Sequence, residues 1–111
     1  MKPSNNSGIT GWISQQQQEQ QRKQTAWFQA RPAQGYDAAA VRIDAYGSYI
    51  VWAEYGQTTQ FGWEIDHELP KSLFPALATQ STNLRALHWR NNRSKSDKID
   101  LNSLRRLLGG A

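Results

Sequence analysis

Apolar and polar positions divide the chain into segments of different period. From Trp12 to about Gln29 the chain is glutamine-rich, with apolar groups only at its ends: Trp12 and Ile13, then Ala26, Trp27 and Phe28. Glutamine is an acceptable helix former and nothing breaks the run before Pro32, so a helix with anchored ends is expected, with a disordered linker as the alternative. Residues 1–10 read as a loose polar tail, and Arg31-Pro32-Ala33-Gln34-Gly35 as a loop and boundary. Beyond it Val41, Ile43, Tyr49, Ile50, Val51 and Trp52 have β character around the turn Ala45-Tyr46-Gly47-Ser48, which predicts a hairpin over 41–46 and 49–54. In a second strand, from Phe61 to Asp66, Trp63 and Ile65 share one face and Glu64 and Asp66 the other. Its partner runs from Leu84 to Trp89.

The connection between these strands begins at Pro70 and carries Leu73, Phe74, Pro75 and Leu77. That is too apolar for a free loop, so a short packed helix is expected in it. Residues Arg90 to about Lys98 suit a polar, basic helix. A last helix follows, capped by Asp97 or Asp100, with Leu101, Leu104, Leu107 and Leu108 on one stripe and Gly109-Gly110 at its end. The predicted class is α+β, organised as an N-terminal extension over 1–35 and a domain over 36–111.

A length of 111 residues fits one small domain. Five Trp, four Tyr and three Phe supply its core. The absence of cysteine removes disulfides and Cys-based structural zinc, and fits a reducing compartment. No apolar run approaches the roughly 18 residues of a membrane span, and no apolar stretch follows the first residues as in a secretory signal. A cytoplasmic protein without membrane contact is therefore expected. The net charge is +4. Seven of the thirteen basic residues follow Asn83: Arg85, Arg90, Arg93, Lys95, Lys98, Arg105 and Arg106, opposed there by Asp97 and Asp100. This basic C-terminal third reads as a footprint for the phosphate backbone of duplex DNA, with a solvated helix face as the plainer reading.

Asp66-His67, Asn83 and Asn92-Arg93-Ser94-Lys95 fall where a strand, a second strand and a helix converge. They bring together a histidine able to activate water and two oxygen donors able to hold a cation. The text Gly62-Trp63-Glu64-Ile65-Asp66-His67-Glu68-Leu69-Pro70, then Asn83-Leu84-Arg85-Ala86-Leu87-His88-Trp89, then Asn91-Asn92-Arg93-Ser94-Lys95-Ser96-Asp97 closely resembles the HNH endonuclease family. Upstream, Asp44 to Ile50 and Tyr55-Gly56-Gln57-Thr58 resemble the hairpin and lead-in of a bacterial branch of that family. The resemblance covers roughly residues 41–98. It implies a ββα-metal core, a β-hairpin followed by a helix around one metal ion, here with the upstream hairpin, the Gln-rich N-terminal helix or tail and the short C-terminal helix added.

The same resemblance implies roles. His67 matches the general base, a neutral imidazole with one ring nitrogen on the attacking water and the other oriented by an acceptor such as a backbone carbonyl. Asp66 and Asn92 match the metal ligands. Neighbouring strand residues point to opposite faces, so Asp66 and His67 could share a site only where the strand ends or bends. One carboxylate and one amide oxygen favour Mg²⁺ or Mn²⁺, with no structural zinc. Asn83 matches an asparagine that ties the loop in place. His88 and Asn91 are expected behind the site, and Trp63 and Trp89 as core plugs. Arg85, Arg90, Arg93, Lys95 and Lys98 are expected phosphate contacts, with Lys71 added to that surface. The chain departs from the family in two places: Leu73-Phe74-Pro75-Ala76-Leu77 stands where this branch often carries Gly-Gly after the proline, and the absence of Cys pairs leaves no zinc clasp, so the aromatic core and the metal site must hold the fold.

The function implied is hydrolysis of DNA phosphodiester bonds to 5′-phosphate and 3′-hydroxyl ends. Two alternatives stand beside it: a nuclease toxin domain, and a non-cutting DNA-binding or regulatory module on the same scaffold. The leucine stripe at 101–108 packs either within the chain or against a protein partner or second copy.

Overall fold

Gln, Lys and Arg lose little rotamer freedom in a helix, and the glutamine-rich segment forms one: α1 spans Ser7–Gln29. The computed structural model describes residues 7–95 and 98–109, with side chains from residue 14 onward. The expected tail over 1–6, the side chains of the Trp12–Ile13 anchor, Asp97 and Gly110 lie outside what is described. Residues 7–10, expected as tail, are helical. Pro32 cannot continue a helix, and α1 stops before it.

The segment read as a boundary loop pairs into a sheet. Arg31–Pro32 is a short strand, β1, antiparallel to β2 (Val41–Ile43), which pairs with β3 (Tyr49–Val51) in the register Val41↔Val51, Arg42↔Ile50, Ile43↔Tyr49. The hairpin turn is closed by Asp44 N–H donating to Ser48 O (2.8 Å) and Gly47 N–H to Asp44 O (3.0 Å). Gly47 adopts φ +90°, a conformation that costs glycine little. The second sheet pairs β4 (Trp63–His67) with β5 (Leu84–His88), from Trp63↔His88 to His67↔Leu84. Two helices follow, α2 (Trp89–Lys95) and α3 (Leu101–Leu107). The described chain is thus a small α+β domain with three helices and two antiparallel sheets. None of its helices is long and apolar enough to cross a membrane.

The first sheet and the last turn of α1 share one core with the second sheet. Ala26, Trp27 and Ala30 pack with Ile50, Trp63, Leu84 and Ala86, and Trp52, Tyr55 and Ile65 close the edge. A division at residue 35 therefore does not follow the packing. The Trp27 ring centroid lies 5.4 Å from that of Trp52 and 5.1 Å from that of Trp63, and Tyr55 lies 4.8 Å from Trp63. The Trp27 indole N–H donates to Ala38 O, and buried Arg42 donates to Ala38 O and Ala30 O, each at 2.9 Å, so the helix end is tied to the hairpin by donors on both sides. Farther out on α1, Glu19 accepts the Tyr55 hydroxyl at 2.7 Å and Lys23 lies over the Trp52 and Tyr55 rings. Gly62 permits the close approach of the loop before β4, since a Cβ there would sit 1.8 Å from Gln57 O.

The connection from β4 to β5 contains two 3-10 turns, Pro75–Leu77 and Ser81–Asn83, in place of a packed helix. Asp100 caps α3 by accepting from Asn102 N–H. The leucine stripe divides: Leu104 and Leu107 are half-buried, whereas Leu101 is 71% exposed and Leu108 53%. Polar contacts add to the docking. Ser103 is buried and donates to Glu68, which also accepts from Arg106.

Trp27 is 3% exposed at the junction of helix and sheets. Trp27→Ala should cost about 3–5 kcal/mol of unfolding free energy. A loss below about 1 kcal/mol in urea titration would mean that α1 is not part of the core. Burial, with the hydrogen bond to Glu19, pushes the Tyr55 phenol up from 10.0 to about 12. A raised pKa in the folded state contributes stability that is complete below pH 10 and lost as pH rises toward 12. Spectrophotometric titration should show one of the four tyrosines ionising last. That step should vanish in Tyr55→Phe and move down in Glu19→Gln.

Candidate active site

Alternation along β4 sends Trp63 and Ile65 into the core and turns Glu64 and Asp66 toward α2. Helical spacing does the rest. Asn92 and Lys95 are three residues apart and share a face of α2. The two elements meet rung by rung: Asn92 Nδ2 donates to Glu64 Oε1 (2.8 Å), and Lys95 Nζ to Asp66 Oδ1 (3.1 Å). Arg93 adds an exposed contact to Glu64 at 3.3 Å.

Asp66 is buried and carries a cation on each oxygen. Arg85 Nε donates to Oδ2 at 3.0 Å, from the β5 residue paired with Asp66 across the sheet. Lys95 Nζ holds Oδ1 and also donates to His67 O at 3.0 Å. One carboxylate thus faces two cations. Burial works against the Arg85 charge, and Asp66 more than offsets it, holding the guanidinium above its ordinary range. Arg85 and Lys95, expected among the phosphate contacts, are instead buried partners of Asp66. The physical reason is charge compensation: an ionised carboxylate away from water needs a partner close by.

His67 closes β4. The strand does not end between Asp66 and His67, and His67 still pairs with Leu84. Both residues nonetheless line one cleft. That cleft, of about 410 Å³, is lined by Ile65, Asp66, His67, Pro70, Lys71, Ser72, Asn92 and Lys95. His67 Nε2 lies 2.9 Å from Ala78 O. A carbonyl only accepts, so Nε2 carries the proton and the neutral ring keeps Nδ1 as its basic nitrogen.

Asn83 is fully buried and spans the loop. Its Oδ1 accepts from Leu69 N–H (2.8 Å), and its Nδ2 donates to Leu69 O (3.1 Å) and Leu77 O (3.2 Å). It touches both ends of the segment that carries Pro70, Lys71 and Ser72 past His67, and its role is to hold that wall of the cleft.

His88 and Asn91 sit away from the cleft. His88 Nε2 donates to Gln60 O (2.8 Å) and Nδ1 accepts from Arg90 N–H (3.1 Å), so both ring nitrogens are engaged. Asn91 Nδ2 donates to Asp44 Oδ2 (2.8 Å) and Ser48 Oγ (2.9 Å). Asp44 is the structural residue that sequence reasoning missed. It is 2% exposed; its Oδ1 accepts from Tyr46 and Ser48 N–H, and its Oδ2 from His88 N–H and Asn91. An aspartate opening a Gly-containing turn was the available signal. The Ala78 carbonyl had none, being backbone. Trp63 is a core plug, whereas Trp89 is half-buried, bonded to Thr59 O, with Arg90 and Arg93 over its ring. Arg90, Arg93 and Lys98 are exposed.

Comparison of the chain with protein-family models, with curated proteins and with solved structures finds no match.

Asn83→Ala would orphan the Leu69 N–H inside the protein and remove two further hydrogen bonds. The expected cost is about 2–4 kcal/mol, from roughly 1–3 kcal/mol per buried group left unsatisfied. A stability change under about 1 kcal/mol would show that the loop is held by something else.

Proposed function

We propose that this chain is a metal-dependent endonuclease of the HNH type, hydrolysing phosphodiester bonds of DNA. The observation that carries the reading is the convergence of Asp66, His67 and Asn92 on one cleft, with the His67 ring oriented by Ala78 O. Asp66 and Asn92 would hold one Mg²⁺ or Mn²⁺. The fit rests on their chemistry and on Lys95, whose ammonium is a stand-in cation at Asp66 Oδ1. A bound divalent ion supplies charge stabilisation of the attacked phosphate and of the departing oxygen.

The chain's own residues do the rest. His67 Nδ1 takes the proton from the attacking water, while Nε2–H stays on Ala78 O and keeps the ring from turning. Asn83 fixes the loop that carries the cleft wall past His67. Glu64 accepts from Asn92 Nδ2, which leaves Asn92 Oδ1 to face a cation. Exposed Arg90, Arg93 and Lys98, with Lys71 at the cleft, supply backbone contacts that position a duplex without reading its sequence. The non-cutting alternative draws on one observation, the neutralisation of Asp66 by two internal cations.

Plasmid cleavage tests the reading. Wild-type protein should nick or linearise supercoiled DNA with Mg²⁺ or Mn²⁺ and not with EDTA. His67→Ala should be slower by about 100-fold or more, the scale of general-base catalysis, with DNA binding by gel shift unchanged. Cleavage by His67→Ala at the wild-type rate would sink the assignment, and a wild type that binds DNA without cutting would favour the non-cutting module.

A further inference from the structure

Lys95 is the one charged group of α2 that is buried inside the cleft wall. Its side chain is 7% exposed, as is that of Asp66. Its ammonium bridges two points on β4, Asp66 Oδ1 and the His67 carbonyl. Arg85 reaches the other Asp66 oxygen and borders a different hollow, beside Glu68 and Arg106. Of the two cations on Asp66, Lys95 is the one that faces the side shared with Asn92 and His67.

A divalent ion bound to Asp66 and Asn92 from that side would lie within a few ångströms of the ammonium. Like charges at that distance repel strongly where water cannot screen them. The trio already has one positive charge in excess, so Asp66 cannot absorb a further two while Lys95 stays. A lysine has a flexible four-carbon stem and can leave, whereas the planar Arg85 is fixed between β5 and Asp66.

We propose that Lys95 is a built-in rival of the metal: ammonium and divalent cation exclude one another at Asp66 Oδ1, and loading the site requires Lys95 to withdraw. This rests on the reading of Asp66 as a metal ligand. The rivalry keeps Asp66 compensated in the metal-free protein, and it weakens the apparent metal affinity by the cost of breaking the Lys95 contacts. Metal binding is thereby coupled to release of a positive charge from the cleft wall.

The test is titration of the protein with Mn²⁺ alone, without DNA, followed by calorimetry and by the rise in melting temperature. Lys95→Met keeps the stem length and removes the charge, and Arg85 still compensates Asp66. It should bind Mn²⁺ about tenfold more tightly than wild type, or better, and gain more thermal stability from the ion. Lys95→Arg keeps the charge and should bind as weakly as wild type. Lys95→Gln serves the same purpose as Lys95→Met should that variant fail to fold. Equal or weaker binding by the uncharged variants, with binding abolished in Asp66→Asn, overturns the rivalry and leaves the metal site standing. Unchanged binding in Asp66→Asn, or no binding by wild type and Lys95→Met alike, removes the metal site itself and the rivalry with it.

Discussion

The ionised carboxylate of Asp66, held away from water, is the constraint to which the rest of this small structure answers. It draws Arg85 from the neighbouring strand and Lys95 from the helix that follows, and so joins β4, β5 and α2 at one point. Removing one partner of such a group leaves a buried charge without compensation, which is far more costly than the net worth of the pair. The helix is thereby held against the face of β4 that carries Glu64 and Asp66, and Asn92 is brought over the same cleft as His67.

A chain of this length without disulfides has few ways to fix its loops. This one uses polar side chains as clasps. Buried Asn83 gathers the backbone of Leu69 and Leu77, buried Asp44 gathers the hairpin turn with the start of α2, and half-buried Glu68 receives the Ser103 and Arg106 side chains of α3. Each clasp joins segments distant in sequence, and two of them border the His67 cleft or the strand that forms it. The aromatic cluster around Trp27 and Trp63 supplies the apolar counterpart on the opposite side of β4.

Period and punctuation made much of the secondary structure legible. The hairpin, β4, β5, α2 and the Asp100 cap fall close to where alternation, turn residues and capping residues put them. The misses have a common cause. Arg31–Pro32 looked like a boundary because proline marks loops, yet it sits on a sheet edge where a missing N–H is tolerated. The leucines of α3 divide between half-buried Leu104 and Leu107 and exposed Leu101 and Leu108, and the stripe gave no sign of the polar contacts that Ser103 and Arg106 add. Arg85 and Lys95 looked like part of a basic surface, because charge in a sequence carries no sign of which partner it will meet.

By itself the sequence determined the local elements and the short set of groups available for chemistry: Asp66, His67, Asn83 and Asn92, with His88 as a competitor. Local propensity and residue identity suffice for that. Tertiary structure alone decided which of these share a space. It separated His67 from His88 by giving each a different carbonyl partner, turned Asn91 toward Asp44 and Asn92 toward Glu64, and set Lys95 on Asp66. These choices rest on pairings between residues up to 47 positions apart. They arise from burial and charge compensation in three dimensions, which a one-dimensional pattern does not encode.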